Sequence, residues 1–325
     1  MVSKKRLDYL DISRGIALLF VMMGHIYNKD NIFITWILSF HVPLFFIISG
    51  VLINYKSDEG DIVNTLIKRI KMIIVPYIFF CIVNTIFEII LSPSTETLKW
   101  TMIQTISLFG IGATWFLPAL FISETLFRII QKYIKNKYLL FMVISIIFVI
   151  PFVIDSNHII VTVIFRSFTA IGYLYIGYCM SNYIINYNLS WKVILLFLTL
   201  SVILANINGN VDLYSLVYNN PILYTITGIL GSIVIIETIK KMDKCKFKIF
   251  KFIGLNSIVI MATHQNIITM TRLILNTKLD GFIQGTMVVL IIMILEYPIV
   301  KLINIYMPWV LGKFNRVKKS SMIMD

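Results

Sequence analysis

The sequence predicts an all-α, polytopic integral membrane protein of about ten transmembrane helices with both termini cytoplasmic. Three observations lead there. Hydrophobic residues make up 58% of the chain, charged residues only 14%, and the mean hydropathy is +0.86, whereas soluble domains are about a quarter charged. Apolar runs near the ~20 residues needed to cross hydrocarbon recur from end to end. The segments between them alternate sharply in basic charge. No stretch rich in Gly, Ser or Pro divides the chain, so residues 1–325 read as a single transmembrane domain.

The apolar segments follow in order. The first, 10–27, comes after a basic tail (Lys4, Lys5, Arg6) as a signal sequence would. It lacks a small-x-small cleavage site and carries Arg14 and His25, so it reads as retained. The second, 32–53, has His41 near its middle and Pro43 two residues on. The missing N–H of Pro43 is expected to kink the helix and free the Ser39 carbonyl. Segments 72–91 and 106–130 come next. The latter holds Thr114-Trp115-Phe116-Leu117-Pro118-Ala119-Leu120-Phe121, where Pro118 is expected to break a helix, and then Glu124. Segments 139–154 and 191–205 are short for spans, while 161–184 and 221–239 are ample. Segment 255–275 contains Ala262-Thr263-His264-Gln265-Asn266, whose consecutive hydrogen-bonding side chains imply a polar interior. Segment 283–307 carries Glu296 just before Tyr297-Pro298.

Orientation follows from the loops. One alternating set comprises the N-tail, 54–71, 131–138, 185–192, 240–251 and the C-tail. It holds 21 Lys and Arg, and the other set holds only Lys29, Lys99 and Lys278. The positive-inside rule places the first set, and with it both termini, in the cytoplasm. This also accounts for the net charge of +13: the basic residues mark topology and anionic lipid, and nucleic acid is not an expected partner. Lysines alternating with Phe and Ile over 240–251 predict an interfacial helix. Cys81, Cys179 and Cys245 are scattered, with no Cys-x-x-Cys or His–Cys cluster, so no disulfide framework and no metal site is expected.

Candidate functional residues are the ionisable groups at membrane depth, which are costly there unless paired or used. Arg14 and His25 are eleven residues apart, about three helical turns, so they share a face at roughly 16 Å separation. Asp11 lies on the same face three residues before Arg14, and a plain Asp11–Arg14 structural pair is the alternative reading. His41 and His264 add two further intramembrane histidines, whereas His158 reads as an exposed loop residue. Trp115 is either an interfacial belt residue or a platform for a sugar ring. Glu124 and Glu296 line a polar interior or pair with an intramembrane Arg. Arg166 and Arg272 either face the outer surface or pair with a carboxylate. Asn84, Glu88 and Ser49 are weaker candidates.

Taken together, Leu10-Asp11-x-x-Arg14-Gly15-Ile16-Ala17 with ten residues between Arg14 and His25, Phe40-His41-Val42-Pro43-Leu44-Phe45-Phe46-x-Ile48-Ser49-Gly50, a basic cluster before Ile74-Val75-Pro76-Tyr77, and the Trp115 motif resemble the acyltransferase family 3 membrane enzymes. The likeness is strongest over about the first 130 residues, and closest to the fucose 4-O-acetylase-like and polysaccharide O-acetyltransferase branch. It implies transfer of an acyl group, usually acetyl, from cytoplasmic acetyl-CoA to a hydroxyl of a cell-surface or lipid-linked glycan, in the cytoplasmic membrane of a bacterium. It also implies that Arg14 and His25 are needed, with His25 as base or acyl relay and Arg14, held by Asp11, addressing the donor. The family's Arg-x-x-Arg pair is matched by Lys68-Arg69-Ile70-Lys71, so Lys68, Arg69 and Lys71 are assigned to CoA. Lysine lacks the bidentate fork arginine offers a phosphate. His41, Trp115, Glu124 and His264 are assigned to the acceptor. Two other readings stay open: a glycan or lipid-linked sugar transporter, and a membrane-bound O-acyltransferase fold using His264 with Asn256.

Overall fold

A computed structural model describes residues 6–27, 31–56, 62–242, 247–275 and 282–314. The basic positions Lys4, Lys5, Lys29, Lys244, Lys246, Lys278, Arg316, Lys318 and Lys319 lie outside the described residues. The fold is all-α, as expected. Its helices are α1 (Asp8–Ile26), α2 (Ile32–Lys56), α3 (Ile62–Arg69), α4 (Val75–Leu91), α5 (Thr95–Ile106), α6 (Phe116–Tyr133), α7 (Lys137–Val153), α8 (Ile159–Asn186), α9 (Trp191–Asn208), α10 (Pro221–Lys241), α11 (Lys248–Leu255), α12 (Ser257–Leu275) and α13 (Phe282–Tyr306). Outside them, the described residues show one isolated antiparallel bridge, Asp212 to Val217.

Among the described residues, eight stretches are long and apolar enough to cross a membrane, which makes the protein polytopic. Two of the ten expected spans fall short of that standard. α7 has 17 residues, and α12 carries Thr263, His264, Gln265, Asn266, Thr271 and Arg272 within its 19.

The centre of the bundle is α2, packed among α1, α8, α9 and α10. It is apolar on all sides, with Phe40, Leu44, Phe46, Ile48 and Val51 fully buried, as a helix without a solvent face must be. It runs unbroken through Pro43. Small residues set the closest approaches, since within lipid helices gain association from backbone proximity. A Cβ on Gly15 of α1 would collide with the Phe250 carbonyl, and one on Gly254 of α11 with the Asp11 carbonyl, so these two helices touch backbone to backbone. The outer helices show the converse pattern. Ile78, Ile82, Ile86 and Ile90 repeat every fourth residue along α4 and are all exposed, the stripe expected of a lipid-facing surface.

Two boundaries differ from the sequence expectation. The span expected at 72–91 starts ten residues earlier, because α3 continues into α4 through a π-helical turn, Ile70–Ile74. The span expected at 106–130 is interrupted. α5 ends at Ile106, and Leu108, Gly110 and Gly112 adopt positive φ. A 3-10 turn (Gly112–Trp115) then leads into α6. Pro118 therefore breaks nothing. It stands in the first turn of α6, where a missing N–H has no intrahelical partner to lose.

Candidate active site

The elements above converge on a cavity of about 440 Å³ whose walls include His25, His41, Trp115, Gln265, Asp212 and Tyr214. α1 supplies His25 from its last turn. α2 supplies His41, whose Nδ1 lies 2.9 Å from the Ile37 carbonyl one turn back. That contact makes Nδ1 the donor, because a carbonyl only accepts.

His264 of α12 is arranged in the same way, with Nδ1 donating to the Ile260 carbonyl at 2.9 Å. Its ring is completely buried and stands 5.4 Å from the His25 ring, centre to centre. Its Nε2 has no hydrogen-bond partner among the described residues. His264 thus backs His25 and does not itself line the cavity. The next residue, Gln265, does line it. Gln265 accepts the Ala113 N–H at 2.9 Å through Oε1 and places Nε2 3.1 Å from His25 Nε2. Arg272, two turns on, donates to the His25 carbonyl at 2.8 Å, a cationic cap on the end of α1.

The outer wall is tied down by Arg166, which is only 2% exposed. The expectation of an outward-facing or carboxylate-paired Arg166 is corrected. Its guanidinium donates to the carbonyls of Tyr214 (2.8 Å) and Phe109 (3.0 Å). It also lies over the rings of Tyr214, Phe109 and Trp115 at 4.1, 4.2 and 5.3 Å. Delocalised charge on a planar group suits such an aromatic cage. Trp115 is accordingly committed to Arg166 while still facing the cavity. The 209–220 loop behind it is pinned further by Asn208, whose side chain donates to the Tyr218 carbonyl and accepts the Asn220 N–H. Burial there pushes the Tyr218 phenol well above its ordinary value.

The remaining predicted residues gather away from the cavity, around Arg14. Asp11 does not hold Arg14. It is gripped by Arg6, whose Nε and Nη2 reach its two oxygens at 2.5 and 3.2 Å. The hydrogen bond to Asp11 raises the Arg6 guanidinium further above its ordinary value. Glu124, assigned from sequence to the acceptor, instead pairs with Arg69 at 2.9 Å and is buried. Arg14 makes no ion pair among the described residues; the charges acting on it are Asp11, Glu124, Arg69 and Arg6. Lys56, which sequence reasoning passed over as a topological lysine, stands in the field of Arg69, Arg14, Lys68 and Arg6. Lys71 sits apart, over the Phe314 ring. Glu296, unlike Glu124, pairs with no arginine among the described residues. Its Oε1 accepts from Thr263 at 2.8 Å, and it borders a second, apolar cavity of about 320 Å³ beside Met22, Ile260 and Met293.

The site thus has two halves on α1. A cationic cluster surrounds Arg14, and a cavity with three imidazoles nearby surrounds His25. Among the described residues no group of three or more His, Cys, Asp or Glu is placed to hold a metal ion. Lys56, Gln265, Asp212 and Tyr214 were not singled out from sequence.

Comparison with known proteins adds two findings. A family profile described as "Acyltransferase domain" matches residues 7–301, nearly the whole chain. The Nodulation protein NolL of Mesorhizobium japonicum is 29% identical over 136 residues, which is 38% of this chain and 35% of that protein. The chain thus matches about a third of the length of this relative. No solved structure matches it.

Proposed function

Because the chain belongs to this acyltransferase family, we propose that it moves an acetyl group from cytoplasmic acetyl-CoA to a hydroxyl of a cell-surface or lipid-linked glycan, in the cytoplasmic membrane of a bacterium. The observation that carries the reading is the division of α1. His25 opens into a cavity with both polar and apolar walls at one end, and Arg14 lies among Arg6, Arg69 and, through Lys56, Lys68 at the other.

Each half suits one substrate. The CoA nucleotide carries several negative charges, and four of the five basic groups named belong to segments assigned to the cytoplasm by charge. Lys68, Arg69 and Lys71 are the sequence-assigned contacts. Lys56 joins them, and the Glu124 partnership aims Arg69. The cavity suits a sugar: it offers imidazoles, an amide, the Asp212 carboxylate and the aromatic faces of Trp115 and Tyr214, with His41 and Trp115 as acceptor contacts. Glu124 drops out of that set, and His264 acts through His25.

In the reaction the acceptor hydroxyl gives its proton to His25, and its oxygen bonds to the acyl carbon. The carbon–sulfur bond breaks. The CoA sulfur leaves and takes the proton back from the His25 imidazolium. Proton transfer of this kind is worth about 10²–10⁴-fold in rate. With purified protein in vesicles and labelled acetyl-CoA, His25→Ala and His25→Gln should both lose detectable transfer while remaining folded, since an amide cannot take the proton. Mass spectrometry of envelope glycans from cells with and without the protein should show O-acetyl groups only in the first. Normal acetylation by His25→Ala, with His264→Ala inactive, would overturn the assignment of the base.

A further inference from the structure

Resting on the reading of His25 as the base, we infer that Gln265 is a positioning residue that fixes which nitrogen of His25 carries the proton. Ala113 belongs to the 3-10 turn, and Gly112 before it has φ +56° with no room for a Cβ against Gln265 Oε1. The turn therefore delivers the Ala113 N–H onto the Gln265 amide at 2.9 Å. An N–H can pair only with the amide oxygen, so the other end of the amide, facing His25 Nε2 at 3.1 Å, is the NH₂. His25 Nε2 must then accept, and the ring proton sits on Nδ1. A lone pair is thus held on Nε2 at the cavity wall, ready for a hydroxyl that displaces the amide.

A donor aimed at Nε2 leaves that nitrogen as the acceptor of the pair, so it is the atom an incoming hydroxyl meets. The same helix holds the His25 main chain through Arg272, so α12 fixes both ring and backbone. Other titratable or charged groups facing His25 are His264 and Arg272 from α12, His41 from α2, and Asp212, Tyr214 and Tyr224 across the cavity. These are unchanged by substitution at 265.

Two variants test this: Gln265→Met, which keeps the volume, and Gln265→Glu, which reverses one end of the chain of hydrogen bonds. The carboxylate introduced by Gln265→Glu would accept from the Ala113 N–H with one oxygen and from protonated Nε2 of His25 with the other. Rates against pH and against acetyl-CoA concentration are measured beside wild type and His25→Ala. Loss of one hydrogen bond predicts that Gln265→Met lowers kcat by about tenfold and leaves the KM for acetyl-CoA unchanged. Gln265→Glu should move the ascending limb of the pH–rate profile up by about one unit or more, since the charged ring gains a partner. If Gln265→Glu instead keeps the wild-type pH profile while His25→Ala is inactive, the tautomer role is wrong and the base assignment stands. If His25→Ala retains transfer, both fall together.

Discussion

Replacing Arg166 by Met should loosen the cavity wall and weaken acceptor binding. Arg166 joins three separate parts of the chain: the segment after α5 through Phe109, α8 itself, and the 209–220 loop through Tyr214. Met fills much of the same volume and keeps contact with the rings, so the loss is mainly the two hydrogen bonds. Bonds from a charged donor contribute about 1.5–3 kcal/mol each. The Tyr214 acceptor borders a cavity that water can enter, so the lower end applies, about 3 kcal/mol in all. Arg166→Lys retains charge but not the fork that reaches two carbonyls, and should lose about half as much. The assay is the apparent unfolding temperature in detergent together with the KM for the glycan. Arg166→Met should unfold several degrees lower and raise the glycan KM more than that for acetyl-CoA. An unchanged unfolding temperature and an unchanged glycan KM in Arg166→Met would refute the account of the cage as the tie for the wall.

Charge-neutral substitution of Lys68, Arg69 and Lys71 should raise the acetyl-CoA KM more than the glycan KM, and adding Lys56→Gln should raise it further. An unmoved KM in the quadruple variant would return these residues to the role of orienting the chain. The basic-loop asymmetry predicts that cysteines at Ser94 and Asn210 label from outside intact cells and a cysteine at position 244, outside the described residues, does not. External labelling at 244 would overturn the orientation.

The helices were legible because apolar runs of span length leave few alternatives, and the shared face of Arg14 and His25 followed from helical spacing alone. Their partners were not legible. Asp11 is three residues from Arg14, yet it pairs with Arg6, five residues back, because the long Arg6 side chain reaches its carboxylate from just before α1. The contact between Gln265 and His25 spans 240 positions, and no local pattern encodes it. The run Thr263-His264-Gln265-Asn266 signalled only a polar helix; which side chain faced His25 depended on how α12 is rotated. Arg166 misled for another reason. A cation at membrane depth suggests an anion, and its actual partners are ring faces and carbonyls, which carry no charge signature in a sequence.

The π-helical turn at Ile70–Ile74 has a consequence for how this region tolerates length changes. A π turn accommodates one residue more than the α-helical ladder around it. Deleting a single residue there would let the ladder close regularly and keep the upstream turn near its present direction, whereas a deletion in the regular helix on the α4 side would swing everything upstream by about 100° about the helix axis. After that second kind of deletion Arg69 would leave Glu124, and Lys68 would leave the field of Lys56, although no basic residue had been altered. The aim of the cationic half of the site is therefore stored in a count of residues as well as in their identities. A one-residue gap in an alignment therefore belongs within Ile70–Ile74, where it keeps basic positions that point the same way superposed.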